Sequence, residues 1–381
     1  IRYGKNVLGM DAPFLHDIAP ITIELMGDVY PELRERQEHI LATLRSEEDR
    51  FRRTLDQGVQ RFFEIVSSLP KGGKGAVIPG RDAFMLHDTY GFPLELTEEL
   101  AREQGMTVDV EGFEAAMEER RRLSQESSGI DRDVFKSIGE ALGELQRSGF
   151  ETQFVGYDRL EADGARVIAI IRDGELVDFA GPGAEVEAVL DQTPFYAESG
   201  GQVGDTGVLV GDDGLHAEVT DTYRAAGVWL HRARVCSGKL SVGASVQAIV
   251  DVARRMSVLR NHTATHLLHA ALRKVLGGHV HQKGSLVAPD RLRFDFTHTQ
   301  PVTPEQIRQV EDIVNDRVLA DEEVVINRDV PIEEARKRGA MALFGEKYGA
   351  RVRTVEVPGF SLELCGGTHL SRTSQVGLFK I

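Results

Sequence analysis

Four side chains in the last third of the sequence have the types and spacing of a metal site. His262-Thr-Ala-Thr-His266 places two imidazoles at i and i+4, one turn apart on one helix face, so both can reach one ion. Cys365-Gly-Gly-Thr-His369 sets a thiol and an imidazole either side of paired glycines that let the backbone fold back tightly. Each pattern alone is weak: two histidines can sit singly, and Cys365 can be a small buried apolar residue. Together they offer His, His, Cys and His, a donor set suited to zinc. A metalloprotease helix carries Glu directly after its first His, and Thr263 stands there instead. His269, three residues beyond His266, is a competing ligand.

The sequence holds two cysteines, which excludes a disulfide scaffold and a four-cysteine zinc site and fits a reducing cytoplasm. Cys236 has no metal-binding neighbours and is expected in a core. Glu198-Ser-Gly-Gly-Gln-Val-Gly-Asp205 is glycine-rich, but no Lys-Ser/Thr follows, so it is not a P-loop. It reads either as a tight turn between strands or as a loop whose bare amides approach an anion.

These residues need elements to hold them. The 381 residues suggest two or three domains. About the first 150 read as helical: an apolar stripe from Pro31 to Val66, a helix starting at Pro93 and stopping at Gly105, and one from Val110 to Gln125. Pro70 and Lys71-Gly-Gly-Lys-Gly75 end the first, and Arg120 to Arg122 read as a solvated face. From Phe150 onward, short runs such as Val167–Ile171, Val186–Leu190, Val208–Val210 and Val246–Val250 alternate with turns at Asp173-Gly174, Gly181-Pro-Gly183 and Asp213-Gly214. That spacing suggests a small barrel or sandwich. Beyond Asp251 the pattern predicts a helix over Val258–Leu276 and one or two strands over Leu286–Phe296. A capping box at Thr303-Pro-Glu-Gln306 opens another helix, and strands follow at Val324–Ile326 and Arg351–Val357. The expected class is α+β: a helical domain over 1–150, a β-barrel domain over 151–253 and a mixed α+β zinc-containing domain over 254–381.

The net charge of −15 argues against wholesale nucleic-acid binding. The window 254–298 runs the other way, with eight Lys/Arg against two Asp, and could face an anion. No apolar run approaches the roughly 18 residues of a membrane helix, and no leader is visible. The first residue is Ile1 rather than Met, which reads as a piece of something longer or a processed product.

Glu198-Ser-Gly-Gly-Gln202, Arg260-Asn-His-Thr-Ala-Thr-His266, Gln282-Lys-Gly-Ser285, Arg293-Phe-Asp-Phe296, Ala340-Met-Ala-Leu-Phe-Gly-Glu-Lys347 and Cys365-Gly-Gly-Thr-His369 closely resemble the alanyl-tRNA synthetase family. So does Asp88-Thr-Tyr-Gly-Phe-Pro93, and the motifs follow the family's order along the chain. The resemblance implies a tRNA-recognition region, a barrel and an editing domain with one zinc that hydrolyses tRNA(Ala) mischarged with serine or glycine. The family's class II core and C-terminal oligomerisation region have no counterpart here. The expectation is therefore a middle fragment that does not itself join alanine to tRNA using ATP, as the full-length parent does.

By the same resemblance, His262, His266, Cys365 and His369 hold the zinc, and Thr265, Gln282 and Cys365 form the catalytic pocket. Thr265 would bond the hydroxyl of a serine substrate; a helix threonine can also bond back to the carbonyl one turn earlier. Asp88 would read the G·U pair of the acceptor stem, although the residues alone make it a turn or cap. Gly200, Gly201, Arg260 and Lys283 complete the expected contacts to tRNA(Ala) and its aminoacylated 3′ end; neither DNA nor membrane is an expected partner. A non-catalytic tRNA-binding module with a structural zinc is the alternative. A free-standing editing protein fits poorly with the helical region that carries Asp88.

Overall fold

The structure, a computed structural model, describes residues 1–6, 8–69, 75–127, 142–143, 145, 150–342 and 348–381. The expectations for Pro70, for Lys71 to Lys74 and for the stretch from Leu343 to Lys347 lie outside the described residues. The chain divides into two compact units, Ile1–Ile130 and Asp131–Ile381.

The first unit is helical: α1 (Leu15–Met26), α2 (Gln37–Ser68), α3 (Gly80–Tyr90), α4 (Leu94–Glu103) and α5 (Val110–Ser127). The expected Pro31–Val66 helix is interrupted: Glu32–Glu35 forms one turn, and Arg36, at φ −108° and ψ 15°, leaves helical geometry before α2 begins. Leu55, Phe62 and Ile65 of α2 pack with Leu86 of α3 and Leu100 and Ala101 of α4. Asp88 belongs to the last turns of α3 rather than to a turn or cap. The helix stops just beyond it at Gly91, whose φ of +64° favours glycine, while the Gly91 and Phe92 N–H groups donate to the His87 and Leu86 carbonyls.

The second unit opens with a closed barrel. Its strands are β1 (Glu161–Arg172), β2 (Glu185–Leu190), β3 (Gly207–Gly211), β4 (His216–Ala225), β5 (Val228–Ser237) and β6 (Ser245–Val250). They pair in the order β6-β3-β4-β5-β2-β1, and β1 returns to β6 through Ser245↔Arg166 and Val246↔Ala165. The four expected apolar runs all lie in these strands. The β4–β5 hairpin lay outside those runs; its turn, Ala226-Gly227, has positive φ at both residues, the geometry whose twist suits a two-residue hairpin. Alternation along β5 turns Ala233 and Val235 inward and Arg234 and Cys236 outward, so Cys236 is exposed rather than in a core.

Helix α6 (Val252–Leu276) follows directly, six residues earlier than expected, because Asp251 caps it by accepting from the Arg254 N–H at 3.0 Å. Then come the antiparallel pair β7 (Gln282–Val287) and β8 (Leu292–Phe296), helix α7 (Pro304–Leu319) behind its capping box, and the sheet β9 (Val325–Pro331), β10 (Arg351–Val357) and β11 (Ser361–Leu364). Ala264, Leu267, Leu268 and Ala271 of α6 meet Val310 and Val314 of α7 in an apolar core. The rest of α6 from 262 to 272 is buried too, although it carries His262, Thr263, Thr265, His266 and His269. A helix buried on its polar face needs partners for that face.

A buried ion pair fastens the start of α6 to the barrel. Arg255, in the first turns of α6, bonds both carboxylate oxygens of Asp205, the last residue of the glycine-rich stretch, and also donates to the Gly156 and Pro194 carbonyls. The side chains are 3% and 1% exposed. Asp205 accepts in turn from the Tyr196 N–H at 2.6 Å.

Candidate metal centre

Helix α6 presents His262 and His266 to the loop that follows β11, and the loop brings Cys365 and His369. One ligand atom from each lies within 4.8 Å of every other. Sγ of Cys365 is 3.5 Å from Nε2 of His262 and 3.3 Å from Nε2 of His369. Nε2 of His266 is buried without a hydrogen-bond partner. A buried imidazole nitrogen left open beside a thiol and two further imidazoles fits a cation, and three nitrogens with one sulfur fit zinc. The four expected ligands thus converge. His269 does not join them; its Nδ1 lies 2.9 Å from Oε1 of Glu363.

Each imidazole is held from behind. Nδ1 of His262 is 2.7 Å from Oε1 of Gln202, Nδ1 of His266 is 2.7 Å from Oε2 of Glu363, and Nδ1 of His369 is 3.3 Å from Oγ1 of Thr263. Outer partners of this kind fix the tautomer and leave Nε2 free to ligate. Burial opposes ionisation of Glu363, but His266 and His269 outweigh it and hold the carboxyl down at about 2. Burial also opposes the Cys365 thiolate, yet the imidazoles of His262 and His369 bring the thiol well below its ordinary value. A thiolate is the ligating form.

Gln202 and Glu363 were not among the expected site residues. Gln202 lies inside the glycine-rich motif, beside the glycines that mark it as a turn. It is fully buried, and besides His262 it accepts from the Thr368 N–H and donates to Thr368 Oγ1, both at 2.9 Å. Gly367 is forced by this contact: a Cβ there would lie 2.0 Å from His262 Cε1. The barrel also holds the ligand loop through Tyr157, whose hydroxyl donates to the Gly366 carbonyl.

A cleft of about 300 Å³ opens onto the centre. Thr265, Gln282, Gly200, Cys365 and Arg353 are among its lining residues. The Thr265 hydroxyl donates to the Asn261 carbonyl at 2.8 Å, so the bond back along the helix is made while the side chain still borders the cleft. Gln282 begins β7, opposite Phe296 of β8. Gly200 and Gly201 both have positive φ, and a Cβ on Gly201 would come within 2.5 Å of the Ser285 carbonyl oxygen. The turn reading therefore accounts for Gly201. Lys283 is exposed on β7. Arg260, also exposed, donates from Nε to the Gln375 carbonyl at 3.2 Å. In the first unit the exposed Asp88 pairs with Arg120, so that arginine is not simply a solvated charge.

Residues 1–254 match the family model for class II (A) tRNA synthetases, and residues 352–381 match the model for the threonyl and alanyl tRNA synthetase second additional domain. The chain belongs to the alanyl-tRNA synthetase family of class II. It is 51% identical over 387 residues to the alanine–tRNA ligase of Thermus thermophilus, covering 100% of this chain and 43% of that protein. It is 50% identical over 389 residues to the enzyme of Pelotomaculum thermopropionicum, covering 100% of this chain and 43% of that protein. Identity to the enzyme of Xylella fastidiosa is also 50%, over 382 residues, covering 100% of this chain and 42% of that protein. The chain thus spans less than half the length of these relatives. Among the described residues no helix is long and apolar enough to cross a membrane.

Proposed function

We propose that this chain binds tRNA(Ala) and hydrolyses the ester joining serine or glycine to its 3′ end. Ligation of alanine to tRNA(Ala) with ATP belongs, in this reading, to the whole protein. The cytoplasm, where tRNA is charged, is the proposed location. The observation that carries the reading is the cleft that opens beside a preorganised His/His/Cys/His cluster and is lined by Thr265 and Gln282. Residues 1–150 would take the tRNA, with 151–253 and 254–381 forming the hydrolytic site.

His262, His266, Cys365 and His369 would hold zinc. Zinc there supplies Lewis acidity toward an ester carbonyl in the cleft. The protein's own groups do the sorting and placing. The Thr265 proton is committed to the Asn261 carbonyl, so its oxygen is left as an acceptor for a substrate hydroxyl. Serine has that hydroxyl and alanine does not; glycine, smaller than both, would enter on size. The Gln282 amide can donate to the ester carbonyl or orient the attacking water. The thiolate of Cys365 serves as a ligand, and Gly200 leaves room for the terminal ribose. Gly201, Arg260 and Lys283 would lie along the RNA, and Asp88 would face the G·U pair of the acceptor stem. That role fails if Asp88→Ala leaves discrimination between G·U and G·C acceptor stems unchanged in a tRNA-binding assay.

Incubating the zinc-loaded chain with seryl-tRNA(Ala) and alanyl-tRNA(Ala) tests the activity. Release of serine well ahead of alanine is expected. A second reading is favoured by one feature: four protein ligands fill a tetrahedron, the pattern of structural zinc. A non-catalytic tRNA-binding module would bind both tRNAs and release neither amino acid.

A further inference from the structure

Arg353, on β10, lines the cleft and is largely withdrawn from solvent. Nη1 donates to the Cys365 carbonyl at 2.8 Å. Nε is buried without a partner, and Nη2 makes no hydrogen bond to the described residues. The guanidinium carbon lies 4.5 Å from the centroid of the Tyr157 ring, a cation–π contact that holds the group in place. Other arginines nearby are neutralised: Arg351 pairs with Asp329, and Arg328 meets both carboxylate oxygens of Asp158 at 2.7 and 2.6 Å. Among the described residues Arg353 forms no ion pair. The one carboxylate lining the cleft, Glu363, is turned to His266 and His269.

A guanidinium withdrawn from water with no carboxylate on its fork keeps donors open, and a cleft that keeps them is suited to an anion. The fork geometry suits a phosphate better than a point charge would. We infer that Arg353 binds a backbone phosphodiester next to the terminal nucleoside of the RNA, placing the 3′ ester at the metal centre. This rests on the deacylase reading for the identity of the ligand. A free phosphate presents the same oxygens, so the test separates the two.

Three probes are titrated into the zinc-loaded chain and its Arg353→Met variant. They are the trinucleotide CpCpA, 3′-seryl-amido-3′-deoxyadenosine, and the 5′-phosphodiester methyl ester of that amide. Wild type should bind the phosphodiester about 10- to 100-fold tighter than the unphosphorylated amide, and Arg353→Met should erase that difference while zinc content stays unchanged. CpCpA binding should weaken in the variant by a similar factor. If the variant loses affinity for both amides equally, Arg353 only braces the Cys365 loop and the inference falls. It also falls if CpCpA binds both proteins alike, or if inorganic phosphate at equal concentration displaces the phosphodiester as well as CpCpA does. If CpCpA behaves as expected but neither amide binds, the phosphate site stands and the deacylase reading fails.

Discussion

Oε1 of Gln202, in the barrel's glycine-rich turn, lies 2.7 Å from Nδ1 of His262 on α6. A carbonyl oxygen can only accept, so Nδ1 carries the proton and Nε2 is left open to a metal ion. The same oxygen takes the Thr368 N–H, which ties the ligand helix to the ligand loop through a residue of neither. Gln202→Met keeps the length and removes the acceptor. Zinc affinity, read by competition with a chromogenic chelator, should fall about 10- to 100-fold. Gln202→Glu, which still accepts, should recover most of it, and the cobalt-substituted absorption spectrum should shift only in the Met variant. For calibration, His262→Ala or Cys365→Ala should abolish tight binding and His269→Ala should not; the reverse order would refute the ligand set.

Thr265→Val preserves shape and deletes the oxygen that would accept from a serine hydroxyl. The ratio of seryl- to alanyl-tRNA(Ala) hydrolysis should drop by roughly 5- to 150-fold, the worth of one such bond. Zinc content should not change, since Thr265 is not in the cluster. An unaltered ratio would show that discrimination lies elsewhere.

Asp205→Asn removes the charge opposite Arg255, leaving a buried guanidinium with only carbonyl and amide partners. Breaking a buried pair from one side costs about 3–5 kcal/mol. Urea denaturation should show that loss. Arg255→Met/Asp205→Leu, which empties the site of charge, should regain much of it. A single variant as stable as the parent would mean the pair fastens nothing.

His231 is fully buried in β5, with Nε2 2.7 Å from Thr193 Oγ1 and Nδ1 2.9 Å from the Ala188 carbonyl. Burial pushes its value down from 6.5 to about 4. Between those values the unfolded chain binds a proton that the folded barrel refuses, so acidification draws the equilibrium toward unfolding. The contribution is intact above about pH 6.5 and is lost on the way to pH 4, worth on the order of 3 kcal/mol. Urea midpoints of wild type and His231→Gln measured from pH 7 to pH 4 should diverge, with the wild type falling more steeply. Parallel profiles would remove His231 from the acid response.

The four residues of the cluster were legible because two of them share a helix face and two share a tight loop, both local patterns. Gln202 and Glu363 were not, because their meaning lies in contacts with residues 60 and 94 positions away along the chain. The barrel's apolar runs were visible as β-branched stretches, whereas β4 alternates Ala217 and Val219 with Glu218 and Thr220 and shows only as a period of two. Helix α3 hid behind Pro79 and Gly80 because its apolar residues Ala83 to Leu86 fall in one run rather than at helical spacing; Ala83 and Leu86 are the buried ones. Cys236 was misplaced because composition cannot tell which side of a strand a residue takes.

Tyr157, Gln202 and Asp205 come from the barrel, while all four ligands come from the segment after it. A cut at 253 would therefore keep every donor atom in one piece and still take away what aims them. The smallest polypeptide that contains the ligands is not the smallest that contains the site. Gln202 and Tyr157 aim donors that the barrel does not supply, so parting barrel from helix is expected to weaken the hold on an ion, and an ion to resist that parting.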